Sequence, residues 1–177
     1  MPDHMQYKIT KPQPGEYAPY FDTYLSKVKS ENLIEELETG KAEVIGLLKT
    51  IPGEKLDYRY QEGKWTIKEI IIHLMDAERI FCYRALRFSR NDGTPVLGFD
   101  ENEYIPESNA SQRSLQSITD EYSAQRQSTI EFFKNITTEM SMRSGISNGR
   151  EISVRALAYA IPGHEIHHLG VIRERYL

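Results

Sequence analysis

The sequence predicts an all-α protein, a single-domain bundle built on four long helices. Three observations lead there. Four stretches carry apolar residues at spacings of three and four, no stretch alternates convincingly as a strand, and Pro- and Gly-bearing breaks separate the four. A chain of 177 residues fits one domain. It is long enough to bury a core without covalent staples.

Residues 1–30 read as an irregular lead-in, rich in Pro and polar residues (Pro2, Pro12, Pro14, Pro19), with Tyr20–Lys29 compatible with a short helix. The bundle occupies residues 31–177. Its first helix runs over Glu31–Thr50, where Leu33, Leu37, Gly40, Val44, Leu47 and Ile51 draw one stripe, and Pro52-Gly53 stops it. The second opens on a capping box, Thr66 with Glu69, and continues through Ile67, Ile70, Leu74, Ala77, Phe81, Ala85 and Phe88 to Asn91-Asp92-Gly93. A connection over Asn91–Ser114 follows, and one that long is usually functional or spans the end of a bundle. The third helix covers Leu115–Ile136, with Ile118, Tyr122, Thr129, Phe132 and Ile136 on one side. Turns at Ser144-Gly145 and Asn148-Gly149 precede a fourth helix from Ser153 to Tyr176, in which Pro162 should kink the path rather than end it.

Charge and composition exclude several classes. The 22 Lys+Arg against 26 Asp+Glu leave a net charge of −4, which argues against broad binding to phosphate backbones. The single cysteine, Cys82, can form no intrachain disulfide. The N-terminal stretch has no apolar h-region, and the apolar runs around Ile70–Met75 and Ala156–Ile161 are too short to cross a bilayer. A cytoplasmic protein with no nucleic-acid or membrane partner is expected.

Three of the five histidines fall within GHEIHHL near the C-terminus and one lies in the second helix. On the wheel of the fourth helix with Leu157 at zero, His164 and His168 lie about 20° either side of the apolar centre, and His167 about 80° away. His73 lies about 60° from Ile70, at the border of the buried arc, and can point inward. Imidazoles at i and i+4 stand one above the other and can reach one ion. A third from a facing helix completes a set that leaves a position open for water or substrate, as catalytic zinc requires; nickel, copper and iron accept imidazole too. A lone core histidine is more often a hydrogen-bonded structural residue, and an HxxxH pair is only moderately specific. The pair centred on the apolar face, with a third inward histidine, favours a divalent metal on His73, His164 and His168.

The residues GKWTIKEIIIHLMDAERIFCYRALRFSRNDGTPVLGFD, with PGHEIHHLGVIRERYL at the end, resemble the DinB-like superfamily of metalloenzymes. The likeness is close over the second and fourth helices and loose over Glu31–Leu177. It implies a four-helix bundle running up-down-down-up, with a long crossover loop between helices two and three. It also implies a metal triad on the same three histidines, zinc or nickel as the metal, and a homodimer. Members with assigned activities look like thiol-dependent S-transferases or isomerases, which implies a low-molecular-weight thiol as co-substrate and a small-molecule substrate.

Other residues invite roles beside plainer readings. Asp76 and Glu165 are candidate acceptors for the imidazoles, or surface ion-pair partners of nearby arginines. Arg84 lies inside the apolar arc and is a candidate substrate contact, with a buried structural ion pair as the plainer reading. Arg79, Arg87 and Arg90 read as a solvated face. Cys82 reads as a small buried hydrophobe, with no histidine at helical spacing to activate it. Tyr58, Tyr60 and Tyr104 are candidates for the mouth of the site, Trp65 for a staple at the helix start, His167 for a spare ligand, and His4 for tail.

The function expected is a metal-dependent enzyme in which metal-bound water or thiolate is the nucleophile, most readily in thiol-dependent S-transfer. The alternatives are a metal-dependent hydrolase and a non-catalytic metal-binding or stress-response bundle. No decisive general base separates them.

Overall fold

The computed structural model describes residues 8–177; His4 and Pro2 of the lead-in lie outside the described residues. The lead-in contains a 3₁₀ turn at Pro19–Phe21 and one turn of helix, α1 (Asp22–Leu25), shorter than the Tyr20–Lys29 segment that the composition allowed.

Four long helices make the bundle, and each starts where a polar side chain accepts from a free backbone N–H. Asn32 caps α2 (Leu33–Thr50). Thr66 caps α3 (Ile67–Ser89) in the predicted box: its Oγ1 accepts from Glu69 N at 3.2 Å, and the Glu69 carboxylate accepts from Thr66 N at 2.7 Å. The connection from 91 to 114 is not structureless, for it holds α4 (Glu101–Glu107) and a 3₁₀ turn at Ala110–Gln112. Ser114 caps α5 (Leu115–Lys134), and α6 (Thr138–Met142) follows. Next comes a hairpin the sequence reading did not expect, β1 (Ser144–Ser147) paired antiparallel with β2 (Arg150–Ser153). Its strands of four residues are too short to display an alternation. Only the turn was visible, and Asn148 and Gly149 do adopt φ of 50° and 71° there. The last helix, α7 (Val154–Arg175), runs unbroken through Pro162.

The helices run up-down-down-up. The end of α7 meets the start of α3, where Tyr176 Oη donates to the Trp65 carbonyl, so these two are antiparallel. The α2–α7 pair is parallel, with Tyr159 Oη donating to Glu31 O at 3.1 Å near one end and Arg173 on Glu43 at 2.7 Å nearer the other. The α3–α5 pair is parallel too, through Gln125 on Met75 O at 2.7 Å and Cys82 beside Thr129 at 3.4 Å. Consecutive helices α2 and α3 lie across a diagonal, each packed on α5 and α7. Among the described residues, no helix is long and apolar enough to cross a membrane.

Two apolar clusters fill the bundle. One gathers Leu33, Leu37, Phe81, Phe88, Ile130, Phe133 and the first half of α7; the other gathers Val44, Leu48, Ile67, Ile70, Ile71, Ile72, Leu74, Ile118, Tyr122, Leu169 and Ile172. Between them, Gly40, Glu78, Arg126, His164 and Glu165 form a polar layer. Two stripe positions differ from the expected ones. Leu48 rather than Leu47 is fully buried on α2, and Phe133 rather than Phe132 on α5. In α5 the stripe passes through the charged Arg126, which an apolar count skips.

Candidate metal centre

His73 projects from the second turn of α3, and His164 and His168 project from the facing stretch of α7. The two helices are antiparallel, so an early position on one meets a late position on the other. His73 Nε2 lies 3.0 Å from His164 Nε2, and His164 Nε2 lies 3.0 Å from His168 Nε2. All three ligand-capable nitrogens fall within 4.8 Å of one another. Around a tetrahedral zinc with bonds of about 2.0–2.1 Å, neighbouring nitrogens stand about 3.3 Å apart, so the donor set fits such an ion.

Burial keeps these rings neutral. It lowers His73 to about 4 and His168 to about 3, the latter helped by repulsion from His73 and His167. His164 is pushed well down by burial and by its three histidine neighbours. Neutral imidazole is the form that donates a lone pair to a metal.

Aromatic rings enclose the cluster. Trp65, expected as a helix staple, lies with its ring 4.7 Å from His73 and 6.4 Å from His168. Tyr24 meets His164 edge-on at 5.1 Å, and Phe81 does so at 6.2 Å. Tyr24 comes from α1, which packs on α7 where Gly163 leaves room: a Cβ there would run into the Tyr24 carbonyl. The sequence reading missed Tyr24, since nothing in a four-residue helix marks the element it covers.

Two cavities open on the cluster. One, of about 190 Å³, is lined by His73, His164, Phe81, Arg84, Tyr24 and others. The second, of about 240 Å³, is lined by His168, Trp65, Tyr60, Tyr176 and Asn102. Tyr60 thus lines the site as expected, whereas Tyr58 packs on Tyr176 and Tyr104 on Phe99.

The remaining candidates separate clearly. Asp76 pairs with Arg79 at 3.4 Å, the surface reading. Glu165 is neither an imidazole acceptor nor a surface residue: it is buried, and its carboxylate accepts from Arg126 and from Tyr122 Oη. Arg126, bonded to Glu78 as well, escaped the sequence reading because a charge in an apolar stripe looks like an interruption. Arg84 is buried, and among the described residues it makes no ion pair. Arg79 and Arg87 are on the solvated side and pair with Glu121 and Asp92, and Arg90 is exposed. Burial pushes the Cys82 thiol up to about 12, which leaves it unreactive at neutral pH. His167 meets Tyr24 and His168 edge-on, outside the cluster.

The chain and its fold have relatives. A family model for the DinB superfamily matches residues 36–172. A protein of Oceanobacillus iheyensis named "Putative metal-dependent hydrolase OB0413" is 25% identical over 149 residues, covering 79% of this chain and 81% of its own. YfiT of Bacillus subtilis, also named "Putative metal-dependent hydrolase", is 28% identical over 91 residues, 51% of this chain and 49% of its own. The solved structure of YfiT, described as a probable metal-dependent hydrolase with an unusual four-helix bundle topology, superposes with a TM-score of 0.70 at 15% identity. That match covers 97% of this chain and 95% of the YfiT chain.

Proposed function

The chain belongs to the DinB superfamily, and from that premise we propose that it is a metal-dependent hydrolase of a small molecule, with a divalent ion held by His73, His164 and His168. One observation carries the reading. A ring nitrogen holds either one N–H or one lone pair, so it makes one in-line hydrogen bond. His164 Nε2 nevertheless faces two other ring nitrogens at 3.0 Å each. A shared cation satisfies all three lone pairs at once; hydrogen bonding between the rings satisfies them only in pairs.

A divalent ion so held supplies Lewis acidity, polarising a carbonyl and bringing the ionisation of water toward neutral pH. The chain's own residues do the rest. The three imidazoles stay neutral and aimed at one point, while Trp65, Tyr24 and Phe81 keep bulk water from their flanks. The relatives carry hydrolase names. Those names support hydrolysis over the thiol-dependent transfer that the resemblance implies.

The test is elemental analysis and turnover on one preparation. Purified protein should hold about one equivalent of zinc or nickel and cleave activated esters or amides without added thiol. The variant His168→Ala should lose both metal and turnover. Full turnover by the metal-free protein, or turnover that requires a thiol, overturns the reading.

A further inference from the structure

The cavity of about 190 Å³ beside His73 and His164 is lined by Arg84, whose guanidinium is bonded to no carboxylate among the described residues. Arg84 is 6% exposed. Among the described residues its one hydrogen bond runs from Nη2 to the Leu97 carbonyl at 3.1 Å, and its buried Nε has no partner. The Phe99 ring lies 5.9 Å from the guanidinium carbon, and Tyr20 lines the same cavity. Arg126 is the contrasting case within the same fold, a buried arginine that holds the bundle together and is matched by two carboxylates, Glu78 and Glu165. Burying a charge without a partner costs free energy that the fold does not recover elsewhere. Glu101 lines the same cavity but is not bonded to Arg84.

Resting on the reading above, we propose that Arg84 is the anchor for a carboxylate on the substrate, which places the scissile group of a small carboxylic acid over the three histidines. A guanidinium offers a planar fork that matches a carboxylate, and a charge-assisted pair in a buried site is among the stronger polar contacts. The size agrees: about 190 Å³ corresponds to roughly six waters of liquid volume, enough for a small ring or a short chain. The walls are mixed: Phe21, Phe81 and Phe99 form the apolar part, and Glu101 and Asn148 add polar groups. Arg84 lies on the same helix as His73, eleven residues on, so one rigid element sets the spacing between anchor and cluster.

Benzoate and benzamide, alike in shape and differing in charge, test this by calorimetry on full-length protein with its zinc content measured. Benzoate should bind at least about tenfold tighter than benzamide, and Arg84→Met should remove that preference while leaving zinc content unchanged. Arg84→Lys should retain part of it. Equal binding of the two probes to the wild type, or unaltered benzoate affinity in Arg84→Met, overturns the proposal. If Arg84→Met does not fold, the wild-type comparison decides alone. The same titration on metal-free protein separates the two claims. Arg84-dependent benzoate binding without zinc uptake removes the metal-enzyme reading and keeps the carboxylate anchor. Zinc uptake with indifference to benzoate does the reverse.

Discussion

Arg126 grips Glu165, the residue that follows His164, with Nη1 on Oε1 at 3.1 Å and Nη2 on Oε2 at 2.6 Å. Through its bonds to Glu78 on α3 the same guanidinium ties together the two helices that carry the histidines. Tyr122 adds a fourth member, its hydroxyl 2.5 Å from Glu165. The histidine cluster therefore stands on a buried ionic layer that spans α3, α5 and α7.

Removing the centre of that layer strands two carboxylates in the interior. Arg126→Met should cost about 3–5 kcal/mol of stability by urea unfolding. Adding Glu78→Gln and Glu165→Gln should recover part of the loss. A single variant as stable as the wild type would show that the layer is not holding the bundle.

Gly40 is the floor under Glu165. A Cβ at that position would overlap Glu165 Oε1. Gly40→Ala should destabilise by about 1–3 kcal/mol, although alanine is the better helix former. Thermal unfolding that moves upward instead would contradict the contact.

Zinc should raise the thermal midpoint of the wild type, by the equivalent of about 2.7 kcal/mol when the free ion is a hundred times its dissociation constant. His168→Ala should show little of that rise, and a chelator should reverse it in the wild type. An equal rise in His168→Ala would mean that the ion sits elsewhere.

Acid should loosen the lead-in. Burial raises the Glu16 carboxyl, but hydrogen bonds from Arg155, Gln13 N and Ser153 outweigh it, so the net shift is downward from 4.5. These bonds tie the lead-in to the start of α7, with Ser153 Oγ and Arg155 Nε each 2.7 Å from Oε2. A carboxyl lowered in the folded state contributes fully above about pH 4.5 and loses its contribution as pH falls through the folded value. Glu16→Gln should be less stable at pH 7 and should lose less than the wild type does between pH 5 and 3, read by urea midpoints at each pH.

The helices and the histidines were legible because each rests on a local pattern. Thr66 with Glu69 announces a helix start, and the positions of His164 and His168 follow from the helical period alone. The layer beneath them was not. Arg126 breaks an apolar stripe, and only the facing carboxylates, 48 and 39 residues away in sequence, give it meaning. The cover over His164 was hidden for a related reason, since Tyr24 reaches it from a single turn of helix packed against a glycine.

The distance in sequence between His73 and its partners, 91 residues to His164, bears on when the ion arrives. Synthesis runs from the N-terminus, so a nascent chain complete through α5 carries only His73 of the three clustered histidines. On the proposed reading, loading waits for α7, and chains truncated before that helix should take up no zinc at this site.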